Sequence, residues 1–238
     1  MKLLYSGKTK DIYELDGAAL RMVFSDRVTK NDQGQIDPGG NIRAEETVPG
    51  QARACLMMSA ALFGEIQKKG VARTHMLGYD LDALTMDVSR AKMFEPGLEW
   101  IGRWICTGSF FRRYKMAPGI YDGRPLSPAV YEITLKDDAA GDPLIDPSAL
   151  VALGIVRDWP LMSLLMDLNK RVMEAIVDVF RLKGLDLWDI KIEWGLDHND
   201  EPMLIDEISP GSCRAFKAGE RVQGSDLAQC FEGMIQRP

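Results

Sequence analysis

Apolar and charged residues alternate near the C-terminal end of the chain, in LWDIKIEWGL, residues 187–196. Trp188, Ile190, Ile192 and Trp194 share one parity, and Asp189, Lys191 and Glu193 share the other. Strand side chains point alternately to opposite faces, so the spacing predicts a strand with one apolar and one ionised face. A helical period governs two longer stretches. From Gln51 to Lys69, the residues Ala54, Leu56, Met57, Ala60, Ala61 and Ile66 recur near helical spacing, with Gly70 as a stop. From Leu161 to Lys183, an apolar stripe of Leu161, Leu165, Leu168, Val172, Ile176 and Val179 ends at Gly184.

Shorter runs fill the rest. LLYS, DIYEL and ALRMVF, separated by Gly7 and Asp16-Gly17, predict strands and turns over the first 45 residues. Residues 84–94 and 98–106 read as extended. The stretch from Met116 to Pro147 is loop-rich, with one strand in YEITLKDD. After the turn formers DHNDEP comes MLIDEIS, the second arm of a hairpin with 187–196. A turn centred on Asn199-Asp200 sets Glu193 across from Asp206. A last short helix begins near Ser225-Asp226, an N-cap pair. NDQGQIDPGGN, residues 31–41, is a long loop of the kind that more often than not carries function. Early strands, inserted helices and a late hairpin make an α+β pattern. The expected division gives a β-rich lobe with one helix over 1–88 and a larger α+β lobe over 89–238.

Composition narrows the classes. With 46% hydrophobic and 27% charged residues among 238, the chain has ample core material for a soluble globular protein. No apolar run approaches the roughly 18 residues that span a bilayer. The opening MKLLYSGKTKDIY is interrupted by Gly7, Lys8 and Lys10, so no signal peptide is expected and the expected compartment is the cytoplasm. A net charge of −6 argues against nonspecific nucleic-acid binding. Four cysteines without CxxC spacing read as reduced structural thiols, and two histidines argue against a His-rich metal site or a Ser–His–Asp triad.

Candidate chemistry starts from the hairpin. Two carboxylates, Glu193 and Asp206, opposed on a half-buried ribbon repel each other and need a cation. Magnesium suits one or two carboxylates, completing its shell with water and phosphate. A solvated ribbon with surface ion pairs is the plain alternative. SGKTKDIY puts Lys8 and Lys10 on one face beyond a glycine turn, which suits phosphate oxygens. GRWICTGSFFRRYK gathers Arg103, Ser109, Arg112, Arg113 and Lys115 around a Thr-Gly-Ser turn, a reasonable phosphomonoester site. ITLKDDAAGDP crowds Lys136 and Asp142 into one loop, and ISPGSCR brings Arg214 just after the hairpin carboxylates. Each motif alone also reads as ordinary surface. Together they favour a nucleotide-dependent transferase or ligase acting on small molecules.

The order GKTKDIY, RWICTGSF, ITLKDDAAGDP, WDIKIEWG and IDEISPGSCR resembles the SAICAR synthetases, the phosphoribosylaminoimidazole-succinocarboxamide synthases of purine biosynthesis, from about residue 3 to 235. The resemblance implies a β-rich N-terminal lobe and a larger ATP-grasp-like C-terminal lobe, with ATP in the cleft. It implies ATP-dependent joining of L-aspartate to the carboxylate of carboxyaminoimidazole ribotide through an acyl phosphate, with ATP and Mg2+ as cofactors. By that resemblance Lys8, Lys10 and Lys136 contact ATP, and Glu193 and Asp206 hold the metal. Lys191 neutralises the transferring phosphoryl group, and Asp189 orients Lys191 or the amine. Arg103, Ser109, Arg214, Asp32 and Asp142 serve the substrates. Homodimers occur in the family, and the resemblance points that way. The chain departs from the family pattern at Asp32-Gln33-Gly34, at Trp104 and in SPGSCR, all on the substrate side. A paralogous ligase for a related azole carboxylate and a non-catalytic nucleotide-binding module are the competing expectations.

Overall fold

The alternating segments pair into antiparallel sheets in a computed structural model that describes residues 1–15, 17–30, 34 and 42–235. Strands β1 (Lys2–Ser6), β2 (Lys10–Glu14) and β3 (Ala19–Phe24) form a meander. Strands β4 (Arg27–Lys30) and β5 (Ile42–Thr47) pair separately, and helix α1 (Gln51–Lys68) follows. The hairpin β6 (Met76–Asp80) and β7 (Thr85–Ser89) docks β7 beside β3, giving the order β1-β2-β3-β7-β6.

The second sheet begins with β8 (Leu98–Ile105), then α2 (Gly108–Tyr114), β9 (Pro125–Leu135), α3 (Pro147–Ala152) and α4 (Trp159–Leu182). The long β10 (Asp186–Leu196) follows, then β11 (Pro202–Ile205), β12 (Cys213–Lys217), β13 (Glu220–Val222) and α5 (Gly224–Gln229). The order is β13-β12-β10-β8-β9, with β11 also on β10. β8 takes one edge of β10, and β12 and β11 share the other, end to end. The chain therefore leaves that edge after Ile205 and rejoins it at Cys213.

One apolar core joins the two sheets. Leu56, Met58, Leu62 and Phe63 of α1 and Met162, Leu165, Val172, Met173 and Phe180 of α4 lie in the same cluster as Trp100, Ile190, Ile192 and Trp194. Burial of such side chains contributes about 1.5–3 kcal/mol each. Helix α1 is buried along most of its length, and this explains its small alanines: it passes against both α4 and α5. Ser59 on α1 donates to the carbonyl of Ile208 and accepts its N–H, both at 3.2 Å, tying the helix to the 206–212 excursion. All four cysteines are free, and no helix of the described residues is long and apolar enough to cross a membrane.

The structure changes some local expectations. A bulge in β10 between Leu187 and Asp189 removes Trp188 from the apolar face, where Leu187 takes its place, and Trp188 stacks on Phe216 at 3.7 Å. The last helix is capped at Gln223, so Ser225 and Asp226 lie inside its first turn. Helix α3 and strands β12 and β13, all short, carry no periodic signal in the sequence, while α2 lies where the basic stretch 102–115 also reads as a helix start. The β10–β11 register pairs Leu196 with Pro202 and Glu193 with Ile205, one residue off the expected match.

Asp197 sets that register. Its carboxylate accepts the N–H groups of Asn199 at 2.8 Å and Glu201 at 3.0 Å, and Arg73 donates to it at 2.6 Å. The backbone amides, with Arg73 adding to them, hold the acid down at about 2 against burial. A depressed carboxyl stabilises the fold above its unfolded value, and that contribution is lost as pH falls through the folded one. Asp197→Ala is expected to melt earlier than wild type at pH 7. The gap in melting temperature should narrow as pH falls from about 4 towards about 2. Parallel melting curves across that range would contradict it.

Candidate active site

Cross-strand partners point to the same face, so the register assembles the ionised side of the second sheet. Asp189 of β10 lies between Arg103 of β8 and Arg214 of β12, and Glu193 lies beside Glu99 of β8. Glu99 in turn pairs with Thr134 of β9. The residue directly across the ladder from Glu193 is therefore Glu99 on one side and Ile205 on the other, while Asp206 adds its charge from beyond the end of β11. Two lysines answer the paired glutamates: Lys191 donates to Glu99 at 2.6 Å and Lys136 to Glu193 at 2.7 Å. Thr134 adds a hydroxyl donor to Glu99 at 3.3 Å.

The other half of this face is an arginine network. Arg103, 2% exposed, donates to Glu132 at 2.6 Å, Asp189 at 3.1 Å and Ser109 Oγ at 2.9 Å. Arg113 donates to the other oxygen of Glu132 at 2.6 Å, and Arg214 donates to Asp189. Burial pushes the Asp189 carboxyl up, while Arg214 and Arg103 pull it back. Arg103 thus lies beneath the surface, whereas Arg214 and Ser109 stand partly open. Asp189 holds the two arginines, and Lys191 turns to Glu99 instead of to Asp189. Gly108 has φ +56, and a Cβ there would meet the Arg214 guanidinium at 2.9 Å. The Thr-Gly-Ser turn needs its glycine both for its backbone and for that close approach.

The first sheet supplies the opposing lysines. Gly7 N–H donates to the carbonyl of Lys10 at 2.8 Å, and a Cβ on Gly7 would come within 2.9 Å of that oxygen. This tight turn delivers Lys10 to Asp206 at 2.9 Å and Glu207 at 3.2 Å, and Lys8 to Asp138 at 2.7 Å. Asp142 accepts the Asp137 N–H at 3.0 Å, closing the 137–142 turn that carries Asp138. Asp32 lies outside the described residues.

Asp206 reaches this site by a backbone device. Ile205 faces the same side as Glu193, so regular alternation would send Asp206 to the apolar side. Its φ of +65 breaks the alternation and returns the carboxylate to the ionised side. There burial works against its charge, but Lys10 and Lys136 outweigh burial and hold the carboxyl well below the ordinary range. Glu193 is pushed up, first by burial and then by the Asp206 charge, with Lys136 pulling back. Lys10 and Lys136 stay firmly protonated: burial opposes their charge, and the carboxylates beside them prevail. His75 is buried behind Asp206, and burial drops its pKa to about 4.

Among the described residues no group of three or more His, Cys, Asp or Glu side chains is placed to hold a metal. Glu193 and Asp206 are a two-carboxylate set flanked by lysines, which fits a magnesium ion whose other ligands are water and phosphate. A cavity of about 660 Å³ between β9 and α4 touches the arginine network at Glu132 but has none of Lys10, Lys136, Lys191, Glu193 or Asp206 on its walls. Glu99, Glu132 and His75 join the site with no sequence signal drawn on for them, whereas Arg113 belongs to the basic stretch 102–115 and Glu207 to MLIDEIS. Glu99 with Arg103 and Glu132 with Lys136 alternate in LEWIGRWI and YEITLK as the β10 charges do, a signal that was there to use.

The SAICAR synthetase family model matches residues 3–229. The phosphoribosylaminoimidazole-succinocarboxamide synthase of Clostridium tetani is 39% identical over 232 residues, 95% of this chain and 97% of that protein. A solved SAICAR synthetase superposes with a TM-score of 0.77 at 31% identity, covering 91% of this chain and 86% of the other. A SAICAR synthetase in complex with ADP superposes with a TM-score of 0.81 at 26% identity, covering 97% and 94%.

Proposed function

The chain belongs to the SAICAR synthetase family, and we propose that it joins L-aspartate to the carboxylate of carboxyaminoimidazole ribotide, converting ATP to ADP and phosphate in purine biosynthesis. The observation that carries this reading is the meeting of Lys10 from one sheet with Asp206 and Glu207 from the other, beside the Lys136–Glu193 pair. Lysines paired with carboxylates in the free protein are the groups a magnesium nucleotide would re-partner.

The chemistry follows from the charges. A carboxylate is a poor electrophile, and its oxygen attacking the terminal phosphorus of ATP gives an acyl phosphate and ADP. The aspartate amine then adds to the carbonyl carbon, phosphate departs, and the amine proton is lost. Positioning and charge neutralisation do most of the catalysis. Lys8, Lys10 and Lys136 hold the phosphates, and Lys191, fixed by Glu99, meets the charge on the phosphoryl group in flight. Glu193 and Asp206 would hold magnesium, which draws charge from the phosphate oxygens. Ser109 and Arg214, set in place by Arg103 and Asp189, hold the ribotide.

Phosphate release from Mg-ATP by the purified protein, with the ribotide present and aspartate added or withheld, tests this. Aspartate-dependent release and a product of the expected mass support it. ATP binding without such release would move the reading to a ligase for a related azole carboxylate. Gly108→Ala separates the two substrate sides. It displaces the Arg214 guanidinium and should raise KM for the ribotide about tenfold or more, the loss of one charge-assisted hydrogen bond. KM for ATP should stay within about twofold of wild type by the same argument. Equal effects on both would place Arg214 away from the ribotide.

A further inference from the structure

The left-handed turn at Asp206 is held at three points. Upstream, Leu204 donates its N–H to the carbonyl of Arg73 at 2.9 Å and accepts the N–H of His75 at 2.9 Å. Downstream, Ser59 of α1 holds both backbone groups of Ile208. Between them, His75 Nε2 lies 3.0 Å from the carbonyl oxygen of Asp206 itself. A carbonyl only accepts, so Nε2 carries the proton in this contact.

His75 is built to be a fixed point. The residue is 5% exposed, and its ring packs edge-on against Phe63 of α1, with centroids 5.4 Å apart. Its carbonyl accepts the N–H of Ser89 at the end of β7 at 2.7 Å, while its own N–H goes to Leu204 of β11. The residue therefore sits at the seam of the two sheets, fixed from both. Aspartate enters the left-handed region more readily than most non-glycine residues but still prefers the extended and right-handed ones, so contacts to its backbone weight the choice. An Asp206 relaxed to extended backbone would aim its carboxylate at the apolar face, away from Lys10 and Glu193.

We propose that His75 is a positioning residue: the Nε2–H bond to the Asp206 carbonyl holds the left-handed turn that keeps the Asp206 carboxylate on the metal–nucleotide side. The inference rests on the nucleotide–metal reading above. Two variants test it, His75→Leu, which fills the space without a donor, and His75→Gln, whose amide N–H reaches a similar place. Mn2+ binding in the presence of ADP, followed by electron paramagnetic resonance, reads the site without turnover.

In His75→Leu the Mn2+ concentration for half-saturation should rise about tenfold to a hundredfold, the usual effect of losing a partner behind a metal ligand. In His75→Gln it should return to within about threefold of wild type, since the donor is restored. In turnover, kcat should follow the same order while KM for the ribotide stays put. Should His75→Leu fail to fold, His75→Asn, whose amide falls short of the carbonyl, takes its place. A donor-free variant that holds Mn2+ and ADP as wild type does, or a Gln variant as impaired as Leu, overturns the proposal. A wild-type protein that binds Mn2+ no better with ADP than without overturns the nucleotide–metal reading itself, and the positioning role of His75 with it.

Discussion

Glu193→Gln should lower aspartate-dependent phosphate release by about a hundredfold to a thousandfold, the scale for removing one preorganised electrostatic group, while leaving the fold intact. Glutamine keeps the shape and removes the charge. The magnesium concentration needed for half-maximal rate should rise with it. Stability moves differently, and the sign can be worked out. Burial and the Asp206 charge raise the Glu193 carboxyl above its ordinary value. A raised acid costs the fold nothing below its unfolded pKa, and the full cost is present above its folded pKa. The neutral amide of the variant carries no such cost, and Glu99 loses a like-charged neighbour. Against this, Lys136 keeps an oxygen acceptor but loses the charge of its 2.7 Å partner, and its side chain is about half exposed, so water screens the loss. Melting at pH 7 should therefore be unchanged or slightly later than wild type, and the two proteins should converge as pH falls towards the ordinary Glu value. Wild-type turnover in the variant would remove Glu193 from the metal site. A steep fall in melting temperature would show that the carboxylate is there for the fold.

Much of this site was legible in the chain because a strand exposes its chemistry with a period of two. The alternation in 187–196 predicts the charged face of β10 without reference to any pairing partner. The helices at 51–69 and 161–183 were equally readable, and α1 and α4 run over Gln51–Lys68 and Trp159–Leu182. What pairing alone decides was not legible. Glu99 comes beside Glu193 only because β8 lies next to β10, a contact between segments far apart in sequence. The hairpin register depended on which residue the turn centres on, and Asp197 moved it by one. Asp206 does come beside Lys10 and Glu193, but not by the cross-strand pairing the hairpin pattern predicts. Alternation from the true register would have excluded it, and a left-handed backbone, unmarked by glycine, restored it. Trp188 failed for a related cause, since a bulge changes parity without leaving a residue signature.

Arg103→Met should be the most destabilising single change in the site. The guanidinium is buried with Glu132 and Asp189, and methionine fills similar length without donors. Breaking a buried ion pair on one side strands the other charge, at about 3–5 kcal/mol. Here each carboxylate keeps a second arginine, Arg113 on Glu132 and Arg214 on Asp189, so the lower end applies. A loss of about 3 kcal/mol corresponds to a fall in melting temperature of about 10 °C for a chain of this size. Arg103→Lys should recover little of it, because one ammonium cannot reach Glu132, Asp189 and Ser109 in the directions the fork does. The decisive comparison adds Glu132→Gln and Asp189→Asn to Arg103→Met, which removes the stranded charges. Stability should return towards wild type while KM for the ribotide stays high, because Arg214 and Ser109 have lost what aims them. A triple variant that regains both would show that Arg103 only balances charge. One that regains neither would show that shape, and not the stranded carboxylates, sets the cost.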